Sequence, residues 1–392
     1  MTTKINFDGF VLSDELKMLR KMVKDFIRDE VIPLEEDLDF EATHIQKEKL
    51  SQLQEKAKRA GLYQYSVPRK FGGQGLSIFA RTIIAEEASQ HKLGAYNPAL
   101  GAFGESPPDI LYNGSKRQIE RFVYPTLEGK RSGFIAITEP SGGSDPARSI
   151  HTRAEKTRNK WVLNGQKVFI TGADTADYGI VFARTGEGRQ GITAFIVEKG
   201  MKGFSHQLIP VIRSWYPCEL FFDHVEVPEE NILGEVGHGF EYVQKWLIGN
   251  RIPYAAGCIG IATAALKKAI EYANIRETFG SKLADKQAIQ WMIADSEIEL
   301  RAARWLTYEA AWKADLGENA RYEASSAKLY ATEAAGRIMD RVIQIYGGMG
   351  LTKELPFERW FRELRIKRVG EGPSEVHRML ISRDLLSGKR KL

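Results

Sequence analysis

Four short clusters carry residue types and spacings that can do chemistry. Thr138-Glu139-Pro140-Ser141-Gly142-Gly143-Ser144-Asp145 follows a short apolar run and offers backbone N–H groups and three hydroxyls. Such a loop can hold a phosphate or the polar edge of a ring cofactor, although taken alone it reads more readily as a Gly/Ser turn. Gly370-Glu371-Gly372-Pro373-Ser374 sets one carboxylate between glycines, just ahead of a helix with Pro at its first position. The glycines let another molecule approach and leave Glu371 unshielded, so the carboxylate suits a base; a surface turn acid is the local alternative. Arg276-Glu277-Thr278-Phe279-Gly280 lies between two long helical patterns, where Arg276 serves either a pyrophosphate or a solvated helix end. Gln344-Ile345-Tyr346-Gly347-Gly348-Met349-Gly350 ends a further helix and by itself reads as a glycine C-cap.

Other familiar signals fail on context. A literal GxGxxG at Gly186, Gly188 and Gly191 lies between two strand patterns, whereas a dinucleotide fingerprint joins strand to helix; a hairpin loop is expected. The seven histidines are scattered without HExxH, and His224-Val225-Glu226 lacks the CxxC of a zinc deaminase, so no metal site is expected. There is no GxSxG and no glycine loop ending in GK[ST]. Cys218 and Cys258 are too few for a disulfide framework, which points to a reducing compartment. The 56 Lys+Arg against 51 Asp+Glu leave +5, spread along the chain except for Lys389, Arg390 and Lys391. No basic stripe marks a nucleic-acid partner. The start, MTTKINFDGFVLSDELK, has no secretory pattern, and no uncharged apolar run reaches about 18 residues, so a cytoplasmic protein without a membrane span is expected.

The elements that must position these clusters fall into three blocks. Leu16, Leu19, Val23 and Phe26 recur at helical spacing after the N-cap Ser13, with Pro33 ending the helix. Further helices are expected near 45–60, 78–91 and 115–129. From about 132 the pattern is strand-like: 134–138, 161–171, 178–184, 191–198, 204–210 and 218–227, with Asn164-Gly165 as a hairpin turn. From Gly239 long Ala-rich helices, about 239–274, 284–316 and 319–346, precede shorter ones near 356–363 and 374–386. The expected fold is α+β: an all-α N-terminal domain (1–131), a middle antiparallel β domain (132–238) and a C-terminal domain like a four-helix bundle (239–392).

On this plan and in this order, the clusters resemble the acyl-CoA dehydrogenase family. ITEPSGGSD is similar to the family's TEPxxGSD, NGQKVFITG to NGxKxWITN, RETFG to RxxFG, QIYGGMG to QxxGGxG, and GEGPSE to the catalytic YEGTxx region. The resemblance implies FAD held between the β domain and the C-terminal bundle. Ile137, Thr138 and Ser144, with Phe169, Ile170 and Thr171, match contacts to the flavin ring and pyrophosphate. Arg276, Phe279, Gln344, Gly347 and Gly348 match contacts to the adenine half, usually of a neighbouring subunit's FAD, which implies a homo-oligomer, a tetramer or dimer. Pro373 and Glu375 fall in the cofactor-contacting stretch after the base, Pro373 where a Thr is frequent. Ser144, Arg251 and Gly372 match positions beside the acyl-CoA substrate.

The chemistry so implied is α,β-dehydrogenation of an acyl-CoA thioester to the trans-2-enoyl-CoA. Glu371 removes the pro-R α-proton, a hydride passes to flavin N5, and an electron-transferring flavoprotein takes the electrons. A free carboxylate near pKa 4.3 is a weak base for that proton, so an apolar site must raise it while the thioester carbonyl is held by hydrogen bonds. Gly370 stands where the family often has Tyr, which leaves room beside the α-carbon, and Phe169 stands where Trp often covers the flavin. Ile248 and Asn250 replace polar residues that often accompany the CoA-contacting Arg. An oxidase or monooxygenase on the same scaffold, or a silent acyl-CoA-binding homologue, is the alternative; the presence of Glu371 favours the dehydrogenase over the monooxygenase.

Overall fold

A computed structural model describes residues 12–390. Residues 1–11, on which much of the N-terminal reading rests, and Lys391 of the basic tail lie outside the described residues. Contacts divide the chain into two compact units, Met1–Phe103 with Ile248–Leu392, and Gly104–Leu247.

The first unit is helical. Helix α1 (Asp14–Phe26) begins where Ser13 Oγ accepts the Leu16 amide, with Asp14 and Glu15 in its first turn, and buries Leu16, Val23 and Phe26. It does not stop at Pro33. A π turn (Ile27–Val31) and a 3-10 turn (Ile32–Glu35) prolong it, because a proline near the start of a new turn gives up no needed donor. Helices α2 (Lys47–Arg59) and α3 (Ile78–Ala88) follow. The C-terminal helices are α4 (Gly239–Ile275), α5 (Gln287–Asp315), α6 (Arg321–Tyr346), α7 (Phe357–Lys367) and α8 (Ser374–Leu386).

Small residues let these helices come close. Ile259, Ala262 and Ala265 of α4 share one core with Phe79 and Ile83 of α3, Ala311 of α5 and Ile338 of α6. At Gly260 an added Cβ would lie 2.0 Å from the Glu86 carbonyl oxygen of α3, so no side chain fits there. Glu86 itself is buried but satisfied, accepting from Arg304 Nε (2.8 Å) and Tyr308 Oη (2.7 Å) of α5. The Asp315 carboxylate accepts the Ile78 and Phe79 amides and so caps α3 from the end of α5. These contacts fix the helix that carries Asn250, Arg251 and Tyr254.

The second unit is an eight-stranded, mainly antiparallel sheet. Its strands are β1 (Gly133–Ala136), β2 (Arg153–Thr157), β3 (Lys160–Ile170), β4 (Tyr178–Arg184), β5 (Ile192–Glu198), β6 (Phe204–Leu208), β7 (Cys218–Pro228) and β8 (Ile232–Leu233). They run β6-β7-β3-β2-β4-β5-β8, and β1 lies parallel to β4. The Gly186–Gly191 loop joins the antiparallel β4 and β5, as a hairpin loop should. The segment Lys116–Leu127 packs inside this unit, with Gln118 Nε2 donating to the Glu230 and Ile232 carbonyls and Phe122 4.9 Å from the Tyr178 ring. Among the described residues no helix is long and apolar enough to cross a membrane.

Asn164-Gly165 is not a hairpin turn. It lies inside β3, whose partner β7 inserts an extra residue opposite it; His224 there has φ 51° and donates its amide to Asn164 Oδ1 (2.8 Å). Gly165 is needed for φ 149° and because a Cβ would come within 2.6 Å of Thr152. The hairpin turn lies at Arg158–Asn159 instead, between β2 and β3. Strand β2 escapes the pattern because only Ala154 of its five residues is buried.

Replacing Gly260 by Val is expected to destabilise the protein by about 1–3 kcal/mol or more, since a close helix contact must open. Chemical denaturation checks this, and wild-type stability in the variant would contradict the packing described.

Candidate active site

Glu371 is carried on a strained turn. Its φ is 59°, in the left-handed region that non-glycine residues avoid, and Gly372 follows at φ 96°. Two buried cations hold the turn by its carbonyls. Arg251 of α4, 6% exposed, donates from Nε to the Glu371 carbonyl (3.0 Å). Lys328 of α6, fully buried, donates from Nζ to the carbonyls of Gly372 (2.6 Å) and Arg368 (3.3 Å). Pro373 is the N-cap of α8 and not its first residue; that helix opens at Ser374, with Glu375 in its first turn.

The side chain of Glu371 is placed as carefully. Oε1 accepts from Asn250 Nδ2 (3.0 Å), while Oε2 is shielded from solvent and has no partner. Burial pushes this carboxyl above the usual carboxylate range, against the opposing pull of Arg251, Asn250, Lys367 and Lys328. Burial likewise pushes Lys328 down to about 8. It pushes His377, fully buried beside Gly372, down to about 3, so that imidazole is neutral at ordinary pH. A desolvated carboxylate of raised proton affinity with one uncommitted oxygen is equipped to take a proton.

The room expected at Gly370 is already filled. A Cβ there would lie 2.7 Å from the hydroxyl of Tyr254, one helical turn beyond Asn250 on α4, whose ring also receives Lys367 Nζ at 4.2 Å.

In the sheet unit, Ile137 and Thr138 after β1 bond to Lys167 and Val168 of β3, which runs on through Phe169 and Ile170 to Thr171, and Ser144 lies in the loop that follows Thr138. Here β3 carries the extra residue relative to β7, between Lys167 and Ile170. The bulge puts Phe169 at φ 59° and turns its ring outward, 60% exposed, while the Val168 amide donates to the Thr138 carbonyl (2.9 Å). Ser144 and Thr171 are exposed, and Thr171 Oγ1 accepts from Arg213 (3.0 Å). An outward aromatic ring two residues before an exposed threonine fits a flat cofactor with an apolar face and a polar edge, as FAD has.

Beneath this surface two motif residues, Glu139 of TEPSGGSD and Lys167 of NGQKVFITG, form a buried ion pair that the sequence reading did not join. Lys167 Nζ donates to Glu139 Oε1 (2.8 Å) and to the Ile137 carbonyl (3.0 Å), and Glu139 also accepts the His151 (2.7 Å) and Thr152 amides. Burial would raise the Glu139 carboxyl, but Lys167 and the amide donors outweigh it and hold it below the usual range. The pair ties the 138–145 loop to β3.

Arg276 and Phe279 belong to a small hairpin, β9 (Glu277–Thr278) and β10 (Ser281–Lys282), whose turn residues Phe279 and Gly280 both have positive φ. Phe279 is fully exposed, and Arg276 is exposed beside it. Gly347 ends α6 as its C-cap, and added Cβ atoms at Gly347 or Gly348 would meet nothing within 4 Å. The two clusters adjoin where Tyr272 of α4 stacks on Tyr346 of α6 at 4.1 Å. An exposed cation, a bare aromatic ring and glycines that leave a surface open fit the pyrophosphate and adenine parts of FAD.

Replacing Lys167 by Met leaves Glu139 buried without its cation and is expected to cost about 3–5 kcal/mol of stability. Denaturant unfolding checks this; Lys167→Met paired with Glu139→Leu should recover part of the loss, and no loss in the single variant would contradict the role of the pair.

Three family models match in order: the acyl-CoA dehydrogenase N-terminal domain over residues 13–130, the middle domain over 134–225 and the C-terminal domain over 237–386. The chain is 39% identical to an acyl-CoA dehydrogenase of Bacillus subtilis over 384 residues, covering 96% of this chain and 99% of that one. It is 36% identical to a subunit of the caffeyl-CoA reductase-Etf complex of Acetobacterium woodii, covering 95% and 99%. Among solved structures, the butyryl-CoA dehydrogenase of Megasphaera elsdenii matches at 34% identity with a TM-score of 0.84, covering 96% of this chain and all of that one. With this agreement along its whole length, the chain belongs to the acyl-CoA dehydrogenase family and is an FAD-dependent oxidoreductase.

Proposed function

We propose that the protein removes hydrogen from the α and β carbons of an acyl-CoA thioester, with Glu371 as the base for the α-proton. The observation that carries this reading is the state of that carboxylate: desolvated, raised in proton affinity, and holding one oxygen out of any hydrogen bond. FAD, when bound, accepts the hydride from the β-carbon. The chain's task is then to present Glu371, keep water away and stabilise charge building on the thioester oxygen. Ile137, Thr138, Ser144, Phe169, Ile170 and Thr171 receive the flavin half of the cofactor. Arg276, Phe279, Gln344, Gly347 and Gly348 receive the adenine half, and Pro373 and Glu375, in the stretch after the base, complete the cofactor contacts. Ser144, Arg251 and Gly372 stand on the substrate side, Arg251 chiefly by holding the base turn.

Electrons leave to an electron-transferring flavoprotein, a partner consistent with the Etf complex of the Acetobacterium relative. A homo-oligomer is supported by Phe279 and by Trp291, Ile298 and Trp305, exposed apolar residues repeating every seven positions along α5. We place the protein in the cytoplasm, where its two buried free cysteines need no oxidant.

The test is anaerobic titration of the FAD-loaded protein with butyryl-, isobutyryl-, octanoyl-, palmitoyl- and 3-phenylpropionyl-CoA. The last covers the aryl chemistry of the caffeyl-CoA relative. At least one thioester should bleach the flavin absorbance in wild type and none in Glu371→Gln; equal bleaching in both would refute Glu371 as the base. Because the carboxyl is raised by burial, kcat/KM should fall on the acid side with a midpoint above the ordinary value of 4.5. His377, neutral down to about 3, should not set that limb. A midpoint at or below 4.5 would contradict the burial of Glu371.

A further inference from the structure

Helix α4 reaches the base through two adjacent residues with different chemistry. Arg251 grips the main chain of Glu371, and Asn250 grips its carboxylate. The groups facing that carboxylate are otherwise cationic: Arg251 on the same helix, Lys328 from α6 and Lys367 from α7, with His377 of α8 packed on Gly372. A carboxylate free to rotate there would turn toward a cation, form an ion pair, and lose both basicity and direction. Asn250 supplies a neutral donor instead. It occupies Oε1 at 3.0 Å and leaves Oε2 as the buried oxygen without a partner.

We propose that Asn250 is the positioning residue of the base, anchoring Oε1 of Glu371 so that Oε2 is the oxygen that takes the substrate's α-proton. The assignment rests on the reading of Glu371 as the base and says which oxygen reacts and what aims it. It balances simply: the α-carbon gives up a proton, Oε2 forms the new O–H bond, and the electron pair left on carbon accompanies loss of the β-hydride to the cofactor. Because the amide donates to the ionised carboxylate, its loss also shifts the acid limb of the pH profile upward.

The test compares wild type, Asn250→Ala, Asn250→Gln and Glu371→Gln as FAD-loaded proteins. The thioester used is the one in the panel above that bleaches the wild-type flavin fastest. Asn250→Ala should slow flavin reduction about tenfold or more, as expected for a lost hydrogen bond to a charged group. FAD content, thermal stability and calorimetric affinity for the thioester should stay near wild type, and the acid limb should move to higher pH. Asn250→Gln, which keeps the amide, should recover part of the rate. A wild-type rate and limb in Asn250→Ala, with Glu371→Gln inert, would overturn the Asn250 proposal alone. Loss of rate in Asn250→Ala together with equal loss of FAD or stability would also overturn it, since the residue would then be structural. Wild-type bleaching in Glu371→Gln, or no bleaching of wild type by any thioester, would overturn the base assignment and this proposal with it.

Discussion

The helical unit is organised around one demand: a carboxylate must be kept dry and aimed while its own backbone sits where an L-residue resists sitting. Left-handed conformation at Glu371 costs on the order of 1–3 kcal/mol and persists only if its surroundings over-determine it. They do so through two buried cations that bond to main-chain oxygens, Arg251 to Glu371 and Lys328 to Gly372. Spent on carbonyls, these charges steady the turn without making a direct ion pair with the carboxylate. That division explains how Glu371 can lie among cations and still have its proton affinity raised by burial.

The same demand reaches back into the packing. Asn250, Arg251 and Tyr254 lie on α4, and α4 is fixed by contacts as close as Gly260 against the Glu86 carbonyl. In the sheet unit a comparable logic operates with different parts. A buried Glu139–Lys167 pair anchors the loop after β1, and one extra residue in β3 turns Phe169 outward. Left-handed backbone thus serves two ends, holding the Glu371 carboxylate in a dry setting and turning the Phe169 ring out to solvent.

Much of this was legible in the sequence. The long helices follow from 3.6-residue periodicity, and Ser13, with Asp14 and Glu15, marks the start of α1 as written. Gly370-Glu371-Gly372 identified the carboxylate because glycine beside an acid is a local signal. What could not be read depends on distant neighbours. Asn164-Gly165 carries a hairpin signal, yet β7 supplies a bulge opposite it, and sheet pairing overrides local turn chemistry. The space at Gly370 looks open until Tyr254, more than a hundred residues earlier, is seen to fill it. The motif fixes a lysine at 167 without reporting its partner, and nothing local to Lys328 reports that carbonyls wait for it in the core.

Whether Glu371 moves the α-proton can be read from hydrogen exchange in heavy water. Wild-type holoenzyme is incubated without an electron acceptor with the thioester that best bleaches it, and deuterium at the α-carbon is followed by mass spectrometry. Wild type should deuterate the α-carbon steadily, and Glu371→Gln should show none above the protein-free control. Deuteration at the wild-type rate in Glu371→Gln would contradict that role for Glu371.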